Sequence, residues 1–242
     1  MDAIRIEGLT KRYRDVVAVD SLTLCVKEGE LLALLGVNGA GKTTTVKMLS
    51  CLTEPTEGDA YLLGKSIRKD AAQVKSVIAI SPQESAVAPG LSVRENLELM
   101  CGVQGFDKKK RRERLSELTE LLSLGEVIDK RAGKLSGGWQ RRLSIAMALV
   151  GEPQILFLDE PTLGLDVIAR GELWDIISAL KGRVTIILTT HYMEEAQALS
   201  DRIAIMRSGR LLACDTAAAI IASANANSLE EAFVRIVRGG ER

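Results

Sequence analysis

Leu31-Leu32-Ala33-Leu34-Leu35-Gly36-Val37-Asn38-Gly39-Ala40-Gly41-Lys42-Thr43-Thr44 decides how this chain folds. Leu31 to Leu35 is aliphatic without polar alternation, so both faces of the segment expect burial, as in a parallel strand. Directly after it, Gly36 to Thr43 fits G-x-x-x-x-G-K-[ST], the phosphate-binding loop. The glycines let the backbone curl so that successive N–H groups point inward. Thr44 to Leu49 is helix-compatible and offers a positive helix N-terminus to the anion. In such a loop Gly36, Asn38, Gly39, Ala40, Gly41 and Thr44 surround the phosphates, Lys42 reaches the β- and γ-phosphates, and Thr43 ligates Mg²⁺.

Working outward, similar aliphatic runs recur at Val77 to Ile80, Ile155 to Leu158, Val184 to Thr189 and Ile203 to Met206, each bounded by turn or cap residues. Helical patterns lie between several of them, for example Leu115, Leu118, Leu121 and Leu122 on one face, so strand and helix alternate around a central sheet. The fold class is α/β. The N-terminus differs, because Ile4, Ile6, Leu22, Leu24 and Val26 alternate with polar residues, as half-exposed antiparallel strands do. A further hairpin is expected from Ile203 to Met206 through Ser208-Gly209 to Leu211 to Ala213. From about Ser85 to Val150 the strand signal vanishes, and the basic run Lys108 to Arg112 within that stretch reads as a solvated helix face. No internal repeat or low-complexity linker is evident, although Ala217 to Asn227 is rich in Ala and Asn.

The 242 residues are 46% hydrophobic and 26% charged, an ordinary globular composition with room for a sizeable core. Aromatics are only 3%, so that core is aliphatic. Lys plus Arg and Asp plus Glu are 32 each, which argues against a nucleic-acid partner. Cys25, Cys51, Cys101 and Cys214 are widely spaced and have no neighbouring histidine, which disfavours a disulfide framework or a zinc site. Met1 to Leu9 does not read as a signal peptide, and no aliphatic stretch approaches the roughly 20 residues of a membrane helix. A cytosolic chain is expected.

Chemistry beyond the loop begins at Ile155-Leu156-Phe157-Leu158-Asp159-Glu160. An apolar strand running into two carboxylates delivers acids to the C-terminal edge of the sheet, where open α/β sheets bind ligands. Asp159 is suited to hold Mg²⁺ and Glu160 to polarise an attacking water, whereas a lone Asp-Glu pair would more simply cap a helix. The one histidine, His191, follows the strand Val184 to Thr190 to the same edge, where it can bond a γ-phosphate or hold the water.

Leu135-Ser136-Gly137-Gly138-Trp139-Gln140 precedes the Asp159-Glu160 strand. Together with the phosphate loop and His191, it resembles the ATP-binding cassette (ABC) family, whose signature LSGGQ is matched here except that Trp139 stands in place of Gln. By residue type Ser136 is a good N-cap and the glycines permit close phosphate approach, so this is a second helix start suited to an anion.

The resemblance implies a P-loop NTPase core with a mostly parallel sheet, an N-terminal antiparallel β subdomain and an inserted α-helical subdomain. The whole chain, 1–242, is then one ATP-binding domain, with a core over about 1–84 and 151–242 and the helical subdomain over about 85–150. It also implies that Ser136, Gly137 and Gly138 dock on the γ-phosphate held by a second cassette, sandwiching two ATP molecules. Tyr13 takes the place of the aromatic that stacks on adenine, though by pattern alone it is equally a surface residue. Gln83 matches the glutamine that touches Mg²⁺ and links the helical subdomain to the sheet; without the family it is a loop amide. Asp166, in Gly164-Leu165-Asp166, matches the aspartate that couples the two sites, and it can cap the helix Val167 to Leu180 as well.

Thr190-His191-Tyr192-Met193-Glu194-Glu195-Ala196 and Ser228-Leu229-Glu230-Glu231-Ala232-Phe233 look like the branch of bacterial and archaeal exporters that includes drug-resistance and sodium-efflux cassettes. The expectation is an ATP-hydrolysing subunit with ATP and Mg²⁺ as cofactors. It works as a homodimer with a separate membrane permease, on the cytoplasmic face of the membrane. Non-transport ABC proteins usually carry two cassettes or a long coiled coil. GTPase switches need an Asn-Lys pair that this chain lacks. A regulatory cassette that only binds ATP fits poorly with Lys42, Asp159, Glu160 and His191 all being present.

Overall fold

The computed structural model describes residues 1–239. The alternating N-terminal sequence forms β1 (Asp2–Tyr13) and β2 (Val16–Lys27), paired antiparallel with Ile4 opposite Val26 and Ile6 opposite Leu24. β3 (Leu31–Leu35) is buried at every position and runs into the loop that opens α1 (Lys42–Leu49). β4 (Glu57–Leu62) and the short β5 (Lys65–Ser66) then complete an antiparallel sheet of order β2-β1-β4-β5. β4 is absent from the expectation because Glu57-Gly58-Asp59 is polar and only Ala60 and Leu62 turn fully inward. Its entry needs glycine: a Cβ on Gly58 would lie 2.3 Å from the Gly8 carbonyl oxygen, where β1 breaks register between Glu7 and Thr10.

α2 (Ala71–Lys75) leads to β6 (Ile78–Ser81), and α3 (Val93–Val103), α4 (Lys108–Leu121) and α5 (Gly137–Leu149) follow. Short 3₁₀ turns at Gly125–Val127 and Ala132–Lys134 join the last two helices. On α4, Leu118 is buried, as is Leu122 just past its end, while most of the run from Lys108 to Arg112 is exposed. β7 (Ile155–Asp159), α6 (Val167–Leu180), β8 (Thr185–Thr190) and α7 (Met193–Leu199) come next. The described chain ends with the expected hairpin of β9 (Arg202–Arg207) and β10 (Arg210–Asp215), followed by α8 (Ala217–Ser223) and α9 (Leu229–Gly239).

The second sheet has the order β10-β9-β3-β8-β7-β6, parallel except for the β9–β10 hairpin. The apolar side chains of α3, α4 and α5 share one core with Leu156, Leu158, Ile186 and Leu188 of this sheet. Its other face packs on α1 and the antiparallel sheet, through Leu34, Phe157 and Ile187 against Val46 and Met48. A third cluster seats α7, α8 and α9 on Ala33, Leu35, Ile203 and Ile205. Aliphatic burial on this scale, at about 25 cal/mol per Å² of apolar surface, is the main force holding the layers together. The four cysteines are free thiols. Among the described residues no helix is long and apolar enough to cross a membrane.

Candidate active site

Register builds the site. Leu35 pairs with Thr190 and Asp159 pairs with Thr189, so Gly36, Glu160 and His191 all leave the sheet at one edge. Loop residues 38–44 with Gln83, Glu160 and His191 line a cavity of about 650 Å³ there, rimmed by Val16, Val17 and Ala18.

The loop owes its shape to close contacts that only glycine allows. At Gly36 a Cβ would sit 2.5 Å from the Met206 carbonyl oxygen, and at Gly41, with φ +103°, 2.5 Å from that of Ala18. Gly41 is also the N-cap of α1 and supplies no side chain, so the first N–H groups of that helix face the cavity without a side-chain cap. The Lys42 ammonium is buried; it donates to the Gly36 carbonyl at 2.7 Å and pairs with Glu160 Oε1 at 3.2 Å. Incoming phosphate must therefore compete with Glu160 for that ammonium.

Thr43 Oγ1 donates to Asp159 Oδ1 at 3.1 Å, and the Thr189 hydroxyl donates to the same oxygen. Glu160 has left-handed backbone (φ +48°), held by its N–H donating to Thr189 Oγ1 at 3.0 Å. Non-glycine residues take that conformation only where neighbours enforce it. It turns the carboxylate so that Oε2 meets His191 Nδ1 at 2.7 Å while Oε1 meets Lys42. Lys42, Thr43, Asp159, Glu160 and His191 thus form one connected network.

The remaining candidates lie elsewhere. Tyr13 does not line the cavity: it is half-exposed at the end of β1, opposite Val16, with the Lys11 ammonium 5.0 Å from its ring centre. Ser136, Gly137, Gly138 and Asp166 are also outside it. Ser136 occupies the N-cap position of α5, but its hydroxyl makes no cap bond, contrary to the capping role expected of it, and it remains exposed. Asp166 does cap α6, accepting from Ala169 N–H at 2.9 Å. Trp139 packs under the Arg142 guanidinium, 4.6 Å from its ring centre.

Two contributors escaped the motif reading. Thr189 sits inside an apolar strand with nothing to mark its hydroxyl. Arg141 is buried and donates to the carbonyls of Pro82, Gln83 and Glu160, tying the Gln83 loop to the sheet edge. Burial pulls its guanidinium below the ordinary range, while the Asp159 and Glu195 charges act against that.

A phosphate loop at the end of a central parallel strand, with a hydroxyl–carboxylate pair beside it, defines a nucleotide-binding α/β protein. Residues 19–163, more than half the chain, match the family described as ABC transporter. The chain is 41% identical over 228 residues to a daunorubicin/doxorubicin resistance ATP-binding protein of Streptomyces peucetius, covering 94% of this chain and 69% of that protein. It is likewise 41% identical over 215 residues to the phospholipid-transporting ATPase ABCA3 of Homo sapiens, covering 87% of this chain but 13% of that much longer one. A solved ATP-binding subunit of an ABC transporter superposes with a TM-score of 0.86 at 27% identity, covering 97% and 99% of the two chains. A dimeric post-hydrolysis ATP-binding cassette with ADP and Pi superposes at 0.79 and 26% identity, covering 88% and 98%. The chain belongs to the ABC transporter family and is an ATP-binding, ATP-hydrolysing domain of it.

Proposed function

We propose that this chain is the ATP-driven engine of an exporter, acting as a homodimer on a separate permease at the cytoplasmic face of the membrane. The observation that carries the reading is the single network of Lys42, Thr43, Asp159, Glu160 and His191 at one sheet edge. In this reading the loop N–H groups and Lys42 hold the phosphates. Glu160 accepts the proton of the attacking water, and His191, tied through Nδ1, keeps Nε2 for the γ-phosphate.

The donor set fits Mg²⁺: Thr43 Oγ1 and Asp159 Oδ1 are hard oxygens 3.1 Å apart, and Gln83 lines the same cavity. Mg²⁺ would supply charge neutralisation between phosphoryl oxygens. Tyr13, Ser136, Gly137, Gly138 and Asp166 lie outside the cavity within one chain. We assign the signature residues and Asp166 to the nucleotide of a second copy, and Tyr13 to the adenine side. Residues 85–150 serve as the helical subdomain that meets the permease, and 1–84 with 151–242 as the core. The Streptomyces relative is named for resistance to daunorubicin and doxorubicin, and that name supports the exporter reading.

The test is steady-state ATP hydrolysis with size-exclusion chromatography in Mg-ATP, comparing the purified chain with Glu160→Gln. Loss of general-base catalysis costs about 10²- to 10⁴-fold in rate. The variant should lose hydrolysis to that extent, keep nucleotide binding and run as a dimer. Hydrolysis at the parental rate would remove Glu160 from the role.

A further inference from the structure

A cluster behind the sheet edge takes no part in hydrolysis as described above. Glu195 of α7 is fully buried, at 0% exposure. Its Oε1 accepts from the Trp174 indole N–H of α6 at 3.2 Å, while Oε2 stands without a hydrogen-bond partner among the described residues. Thr162, two residues beyond Glu160 and equally buried, also has a hydroxyl without a partner at bonding geometry. That hydroxyl and the one on Thr190 face the Glu195 carboxyl. Burial pushes the carboxyl up from its ordinary pKa, these hydroxyls and Trp174 pull it down, and the nearby Glu160 charge adds to the rise.

Burying a carboxyl costs free energy even where hydroxyls and an indole N–H face it, and an apolar side chain of similar volume would avoid that cost. Packing alone therefore does not account for a glutamate here. Its neighbours show what it does instead. Arg170, one turn before Trp174 on the same face of α6, lies 4.9 Å from the Tyr192 ring centre, and that ring is 4.1 Å from His191. α6 thus grips the chain following His191 at two points, Tyr192 and Glu195.

We propose that Glu195 is a positioning residue for ATP hydrolysis: through Trp174 it locks α7 to α6 and so fixes the segment that carries His191. His191 and Glu160 then meet in one geometry. The proposal rests on the reading that Glu160 and His191 carry hydrolysis, so both variants of those residues belong in its test.

The experiment measures kcat and KM for ATP in the purified full chain and in Glu160→Gln, His191→Ala, Trp174→Phe, Glu195→Leu and Glu195→Gln, with Glu195→Leu repeated in the His191→Ala background. Misplacing a catalytic group by an ångström costs about a hundredfold. Glu195→Leu should therefore lower kcat about tenfold to a hundredfold while KM moves less than about twofold, and Trp174→Phe should act in the same direction. Glu195→Gln keeps the acceptor for Trp174 and should recover most of the rate. In the His191→Ala background, Glu195→Leu should cost almost nothing further.

An unchanged kcat in Glu195→Leu overturns the proposal, and so does an equal loss with and without His191, which would mark a merely structural role. If Glu195→Leu does not fold, Trp174→Phe with and without His191→Ala decides in its place. Parental hydrolysis by Glu160→Gln would instead sink the underlying reading.

Discussion

Glu160 holds two opposite partners at once, the Lys42 ammonium on Oε1 and His191 on Oε2, and left-handed backbone is what lets it reach both. Glu195 is the contrasting acid: its neighbours are hydroxyls and an indole, and burial pushes its pKa up from the ordinary value. Above the ordinary glutamate value of 4.5, the folded chain therefore binds more protons at this site than the unfolded chain. Stability from this residue is present below that pH and falls as pH rises toward the raised value. Glu195→Gln has no proton to lose. The melting temperature of the variant relative to the parent should therefore climb from about pH 4 upward and then level, as followed by thermal melts across that range. A difference independent of pH would mean that folding does not raise the Glu195 pKa.

Among elements, the phosphate loop is the least tolerant of added atoms. Gly41 combines φ +103° with the Ala18 carbonyl 2.5 Å from where a Cβ would be, so both the backbone and its neighbour oppose any side chain. Gly41→Ala should reduce ATP affinity at least about tenfold by displacing the start of α1, measured by equilibrium binding of a fluorescent ATP analogue. Helix α5 depends on a different device. The Arg114 guanidinium, buried on α4, donates to the Leu149 carbonyl at 2.6 Å and the Val150 carbonyl at 3.3 Å, and so satisfies the buried C-terminal end of α5. Arg114→Leu strands those carbonyls at about 1–3 kcal/mol. A fall of several degrees in melting temperature is expected, with ATP binding retained.

At the scale of the molecule, the residues assigned to the second nucleotide lie outside this chain's own cavity, on a surface that also shows apolar side chains to water. Val167 and Ile168, directly after Asp166, are 81% and 75% exposed. A surface of that kind suits contact with a second copy. Ile168→Arg should leave nucleotide binding by one chain unchanged and abolish the ATP-trapped dimer in the Glu160→Gln background, read by size-exclusion chromatography. A dimer surviving that charge would move the interface elsewhere.

Residue order alone determined the buried strands, the N-terminal antiparallel strands, the phosphate loop and the acids at a strand end, because each is a local pattern of apolar runs, alternation or glycine spacing. β4 was not legible, since its inward residues are few and its pairing with β1 depends on a glycine contact distant in sequence. The same limit holds at the site. Lys42, Asp159, Glu160 and His191 were identified one by one, but parallel register is what sets Leu35 beside Thr190 and Asp159 beside Thr189 and so joins them. Thr189, Arg141 and the Glu195–Trp174 pair became visible only in three dimensions. Their significance lies in burial and in partners many residues away, and hydrogen bonds between packed elements leave no periodicity along the chain.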